Sequence, residues 1–398
     1  MADVRDALAE VDRSRVVGAL LRLCGSLDAA EEAFQEAVVA ALATWPAQGV
    51  PANPAGWLVT TARNKARDAR RHAAVVDAKA PLLEEEPMHA DVETIRDDQL
   101  RLIFTCCHPE LARDAQVALT LKVIAGFSIE ELARAFLVPE VTMAQRIVRA
   151  KKLVEQRALV YAVPGPRELP ERLAAVLEVI YLIFNEGHTA RAGALVRLDL
   201  QAEALRLGRL LQDTLPREPE VDGLVALMAF GAARAATRTD DAGNLLLLAE
   251  QDRARWNVPL IEEGLLALAR ARKVGRGLYT LQAEIAAAHV SAPAWEATDW
   301  RHILACYDAL LAATGSPVVA LNRAIALAMA DGAEAGLAAL DELAEPLARY
   351  HLFYATRADL LRRLGRDPRA DYARALELVT NDAERAFLQR RLTDTNAS

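Results

Sequence analysis

From end to end of this 398-residue chain, large apolar residues recur at mixed three- and four-residue steps, and no stretch alternates apolar and polar with period two. In the first 76 residues the pattern runs through Leu20, Leu21, Leu23, Leu27, Phe34, Val38 and Leu42. Such spacing places apolar groups on one face of a helix and gives a strand no buried side. Composition agrees, with 53% hydrophobic residues, only 5% aromatic, and the balance mostly Ala, Leu and Val. The chain is predicted to be all-α, and it is too long for a single ordinary core.

Proline, glycine and acidic runs divide the helices. The loop PAQGVPANP interrupts residues 1–76, the predicted first domain. Residues 77–98 carry Pro81, Pro87 and Glu84-Glu85-Glu86 with few large apolar groups, and read as an acidic linker. Helical periodicity returns over 99–160, broken at HPE (108–110), AGFS (125–128) and LVPE (137–140). PGPRELP marks a second linker at 161–170, and amphipathic helices with short turns fill 171–398. Within that last part, 322–344 and 355–379 are similar helix-turn-helix units. Their turn glycines, Gly332 and Gly365, lie 33 residues apart, near the tetratricopeptide period of about 34.

No apolar run reaches the roughly 18 residues of a spanning helix, and MADVRDALAEVDRSR lacks the apolar core of a signal peptide, so a cytoplasmic protein is expected. Four cysteines, two of them adjacent, make no disulfide framework and are expected reduced. The formal net charge is −8, so any nucleic-acid contact must come from local basic surfaces.

Two such surfaces exist. In FSIEELARAFLVPEVTMAQRIVRAKKLV, Ser128 and Glu131 form a capping box that starts a helix burying Ile129, Leu132, Ala133 and Phe136, and Pro139 ends it. A second helix begins near Glu140, with Val141, Ile147, Val148 and Leu153 expected inside and Thr142, Gln145, Arg146, Arg149, Lys151 and Lys152 presenting polar groups. This is a helix-turn-helix pattern. Gln145 and Arg146 are long enough for base edges, and Arg149, Lys151 and Lys152 suit phosphates. In NPAGWLVTTARNKARDARRH, Trp57, Thr60, Thr61 and Asn64 interleave with Arg63, Lys65, Arg67, Arg70 and Arg71, a mixture suited to splayed single-stranded bases. Core packing is an equal reading for Trp57. Upstream, Asp28, Glu31, Glu32, Gln35 and Glu36 line one side of an amphipathic helix that DNA would repel, which fits docking of a protein partner.

On these residues the chain resembles a sigma-70-type RNA polymerase sigma factor of the extracytoplasmic-function class. DAAEEAFQEAVVAAL is similar to the helix that docks on the clamp helices of the largest polymerase subunit, PAGWLVTTARNKARDARR to the segment that melts and reads the promoter −10 element, and SIEELARAFLVPEVTMAQRIVRAKKL to the helix-turn-helix that reads the −35 element. The resemblance covers about residues 1–160, and it implies that the acidic linker threads the polymerase active-site and RNA-exit region. IRDDQLRLIFTCCHPELARDAQVALTLK and YLIFNEGH resemble the subgroup with a long helical, tetratricopeptide-like extension. In that subgroup the extension is implicated in control; here the short, proline-stiffened PGPRELP linker makes an intramolecular contact the simplest expectation, with an outside protein partner as the alternative. The partners implied are core RNA polymerase and promoter DNA, with no membrane partner.

No enzyme, cofactor or metal is expected. Adjacent Cys106 and Cys107 with His108 do not close a tetrahedral site, and Glu186 and His188 have no nucleophile motif or phosphate loop to complete them. NEGH reads as a helix end turned by Gly187, and Thr298 or Asp299 as a helix cap. The alternative function is a one-component helix-turn-helix regulator with a repeat-built sensor domain, acting without polymerase.

Overall fold

The computed structural model describes residues 2–9, 11–76, 92–136, 138–156, 162–188, 198–240 and 244–397. Among these there are nineteen α-helices and no strand, with a single isolated bridge between Thr239 and Leu245. The chain divides into two compact units, residues 1–180 and 181–398.

The first unit holds α1 (Ala2–Ala9), α2 (Arg13–Cys24), α3 (Leu27–Gln48), α4 (Pro54–Val76), α5 (Val92–Cys106), α6 (Arg113–Thr120), α7 (Ile129–Phe136), α8 (Glu140–Gln156) and the start of α9 (Leu169–His188). Local chemistry sets the boundaries. Asp12 and Ser26 cap α2 and α3 through their side chains. Pro46 lies inside α3, so the break expected at PAQGVPANP comes later, at Gly49 with φ of 83°. In the second unit, α10 (Leu198–Thr214), α11 (Pro219–Ala233), α12 (Val258–Val274), α13 (Leu278–Ser291), α14 (Trp300–Thr314), α15 (Pro317–Asp331), α16 (Ala333–Leu340), α17 (His351–Arg363), α18 (Arg369–Leu378) and α19 (Asp382–Ala397) follow in order. Asp299 caps α14 by accepting from the His302 N–H at 2.9 Å.

Residues 77–91 of the expected linker lie outside the described residues, whereas 92–98 form the first half of α5. The reason is packing. Asp98 and Gln99 are buried against α2, where Arg22 pairs with Asp98 at 3.3 Å and the Gln99 amide donates to Asp12 at 2.8 Å. The carbonyl of Asp98 comes so close to Gly18 that a Cβ there would stand 2.8 Å from it. α5 therefore packs on α2, and helices of 1–76 and 99–160 fall within one compact unit. Leu20, Leu27, Leu58, Leu102, Ile103 and Phe104 are all buried in it, each contributing about 1.5–3 kcal/mol on burial.

The boundary expected at 161–170 also moves, into α9. Arg172 donates to the Phe104 carbonyl at 2.8 Å and Arg113 pairs with Glu178, so the first turns of α9 belong to the first unit. α9 itself continues through His188, and Gly187 falls within its last turn rather than ending it. The turn glycines Gly332 and Gly365 adopt φ of 103° and 68°, between α15 and α16 and between α17 and α18. Gly336 lets α16 close on α15, since a Cβ there would meet that of Ala328 at 2.4 Å.

Candidate nucleic-acid interface

The capping box predicted for α7 is formed in both directions: the Ser128 N–H donates to Glu131 at 2.7 Å and the Glu131 N–H donates to Ser128 Oγ at 3.1 Å. α7 and α8 are joined by residues 137–139, and Met143, Ile147, Ala150 and Val154 hold α8 onto the unit. At 100° per residue those positions define the inner face, and Val141, Gln145, Val148, Arg149 and Lys152 fall together on the outer one. All five are exposed, as are Glu140 and Thr142.

Two expectations about α8 are corrected. Val141 and Val148, expected inside, are 68% and 62% exposed. Lys151, expected to face DNA, is 9% exposed and donates to Asp28 at 2.5 Å and Glu31 at 2.6 Å. It lies at the edge of the inner face, where its apolar stem is buried and its ammonium reaches α3. Burial opposes the lysine charge, but bonds from Asp28 and Glu31 outweigh it and raise the pKa. Arg146 is half-buried and pairs with Asp114 on α6 at 3.5 Å. It lines a shallow cavity of about 370 Å³ with Leu111, Ala115, Thr142, Gln145 and Leu153. Arg149 and Lys152 make no ion pair among the described residues.

On α3, Glu31 is drawn inward at the same contact, since Arg13 also donates to it at 2.6 Å while bonding the Val123 carbonyl. Asp28, Glu32, Gln35 and Glu36 stay exposed, and Val39 and Leu42, 64% and 45% exposed, continue the same stripe. The exposed α3 stripe is thus acidic at one end and apolar at the other. On α4, Thr60 and Asn64 are exposed one turn apart, while Trp57, Thr61, Arg63 and Lys65 are partly covered. Trp57 packs edge-on to buried Trp45 at 5.3 Å, and Lys65 lies 3.9 Å from Glu36. Arg67, Arg70 and Arg71 fall on α4, and their side chains lie outside the described residues.

Sequence profiles of Sigma-70 region 2 and Sigma-70 region 4 match residues 8–75 and 101–154, the two segments that carry these faces. The chain belongs to the sigma-70-type factors. Sigma-70 domains of this kind serve promoter recognition and indicate a transcription factor. Residues 172–272 match a family of unknown function, DUF6596. An uncharacterized protein of Rhizobium meliloti (strain 1021) is 43% identical over 397 residues, covering 96% of this chain and 93% of the relative. No solved structure matches this chain.

The sigma factor's cysteines are all free thiols. Cys106 and Cys107 are core residues whose thiols burial pushes up, Cys107 to about 11, and Cys107 lies 3.5 Å from Thr120 Oγ1. The group of metal-ligand type among the described residues is elsewhere, at Glu284, His302 and Cys306. Its carboxylate already accepts from Arg272 and Arg276, so a cation would have to displace two guanidinium groups. No described helix is long and apolar enough to cross a membrane.

The sequence reading missed Val141 and Val148 as outward residues and Val39 and Leu42 as part of the α3 stripe. The signal was available. Val141 and Val148 are seven residues apart on the face of Gln145 and Lys152, opposite Met143, Ile147 and Val154, so a helix that buries those three turns both valines outward.

Proposed function

We propose that this sigma factor binds core RNA polymerase and directs it to promoters by reading a −35 element with α8 and a −10 element with α4, while the second unit modulates its activity. The observation that carries the reading is the outward face of α8, where Gln145, Val148, Arg149 and Lys152 stand exposed on a rigidly capped helix-turn-helix. In a major groove, Gln145 and Arg149 reach base edges, Val141 and Val148 meet thymine methyls, and Lys152 neutralises phosphate. On α4, Thr60 and Asn64 supply hydrogen bonds for unstacked bases, and Trp57 supplies a ring edge beside them. The α3 stripe of Glu32, Gln35, Glu36, Val39 and Leu42 suits a basic and apolar protein surface. The extracytoplasmic-function class and the tetratricopeptide-like character of the extension belong to the same proposal, supported by the paired Gly332 and Gly365 turns.

Run-off transcription with purified core enzyme tests it. Wild-type protein should give a defined start site only with core, and Arg149→Ala with Lys152→Ala should lower the yield while core binding persists. Sequence-specific duplex binding by the protein alone, with no transcription on adding core, would refute the reading in favour of a one-component regulator.

A further inference from the structure

The second unit carries an open cavity of about 610 Å³, a volume typical of small-molecule sites. Its lining includes apolar Leu278, Ile285, Leu310 and Val319, and Gln282 and Asn322 contribute amides. Tyr181 and Tyr307 add phenols whose pKa burial raises, Tyr307 to about 12. The lining also carries Arg234, which ends α11, and Arg238 one turn beyond.

Arg234 stands apart from the other arginines of the unit. Arg209, Arg270, Arg276 and Arg357 are each paired with a carboxylate: Glu263, Asp222, Glu284 and Asp371. Arg234 makes no side-chain hydrogen bond or ion pair among the described residues. Burial, and the charge of Arg253, push it down to about 10. Arg238 falls to about 10 through burial and the charge of Arg234, partly offset by Glu384. Arg253 is already engaged, donating to the carbonyls of His289 and Ala292 at 2.8 and 2.9 Å beneath the Trp256 ring. His289, also on the wall, is held neutral, pushed down to about 4 by burial, Arg234 and Arg253. The cavity therefore holds a half-buried guanidinium at Arg234 that no acid among the described residues balances. Such an arrangement is unfavourable on its own and becomes favourable when an anion fills it.

We propose that this cavity binds a small amphiphilic organic anion, a carboxylate or phosphate monoester with an apolar body. Arg234 and Arg238 take the charged group, the leucine and isoleucine wall covers the body, and Gln282 and Asn322 fix its far end. The guanidinium fork suits either head group, because both present two oxygens to parallel N–H donors. Binding of such an anion is a property of the second unit, and its measurement stands apart from the promoter reading.

The test is calorimetric titration of the full-length protein with phenyl phosphate, 4-phenylbutyrate and the neutral 4-phenylbutanol at fixed ionic strength. Saturable binding of at least one anion is expected, about tenfold or more tighter than the alcohol, and Arg234→Gln should weaken it about tenfold. Tighter phenyl phosphate assigns a phosphate ligand, and tighter phenylbutyrate a carboxylate. Without ligand, Arg234→Gln should melt at or above the wild-type temperature, because it removes a half-buried charge with no acidic partner among the described residues. Should that variant fail to fold, Arg234→Lys and Arg238→Gln carry the test, each weakening the anion several-fold. No saturable binding of either anion up to about 10 mM, equal affinity for the alcohol, or affinity unchanged in all these variants would overturn the proposal.

Discussion

Removing the charge of Lys151 should separate what holds the first unit together from what touches DNA. The Lys151 ammonium is bound at 2.5 Å to Asp28, whose side chain is 69% exposed, and at 2.6 Å to Glu31, which is 12% exposed. At an effective dielectric constant of 20 a close pair is worth about 4 kcal/mol before desolvation is subtracted. The Asp28 contact is screened by water, so its coupling should be below about 1 kcal/mol. Glu31 is buried but keeps Arg13 when the lysine is lost, which lowers the cost of breaking the pair to about 1–3 kcal/mol. Double-mutant cycles of Lys151→Met with Glu31→Gln and with Asp28→Asn, read by urea-dependent hydrogen exchange of α3 and α8 amides in the full chain, measure both couplings. A raised folded-state pKa means that the contribution is fully present below the ordinary lysine value and is lost only as pH climbs through the raised one, so it persists across neutral pH. Couplings both below about 0.5 kcal/mol, or a larger one for Asp28, would refute the reasoning. The same variant should leave the salt dependence of promoter binding unchanged. A shallower slope for Lys151→Met would mean that the pair breaks and the lysine moves to phosphate.

Other outcomes follow from single contacts. Lys152→Ala should reduce the salt slope of promoter binding by about 1, evenly across sequences, in filter-binding titrations from low to moderate salt. Val148→Ala should weaken binding at one −35 position by about 1 kcal/mol without changing the melting temperature, since the residue is 62% exposed. Gly18→Ala should destabilise the first unit by about 1–3 kcal/mol in thermal melts, because its Cβ meets a backbone carbonyl at 2.8 Å that no rotamer change relieves. Lowering pH should destabilise the second unit by up to about 3 kcal/mol between the ordinary histidine value of about 6.5 and a folded-state value near 4, because His289 must charge beside Arg234 and Arg253. His289→Gln should flatten that part of the profile.

What the chain carried in its own order was local. Three- and four-residue periodicity fixed the helices, and the Ser128–Glu131 box fixed where α7 begins. Glycines at 332 and 365 fixed two turns, because those turns need positive φ. Each of these is set within a few residues of itself, so sequence reports it directly. The outer face of α8 was also largely legible, through Gln145, Arg149 and Lys152, as was the acidic half of the α3 stripe. Tertiary structure decided the edges. Lys151 lies on the rim of its helix, where a long amphipathic side chain serves solvent or a partner equally well, and carboxylates more than a hundred residues away drew it in. The same held for 92–98, whose acidic composition reads as linker until Asp98 and Gln99 find α2. The cavity of the second unit left no trace in sequence. Its charge comes from arginines that look ordinary in order, and what marks Arg234 is that no described acid pairs with it across a space that only folding forms.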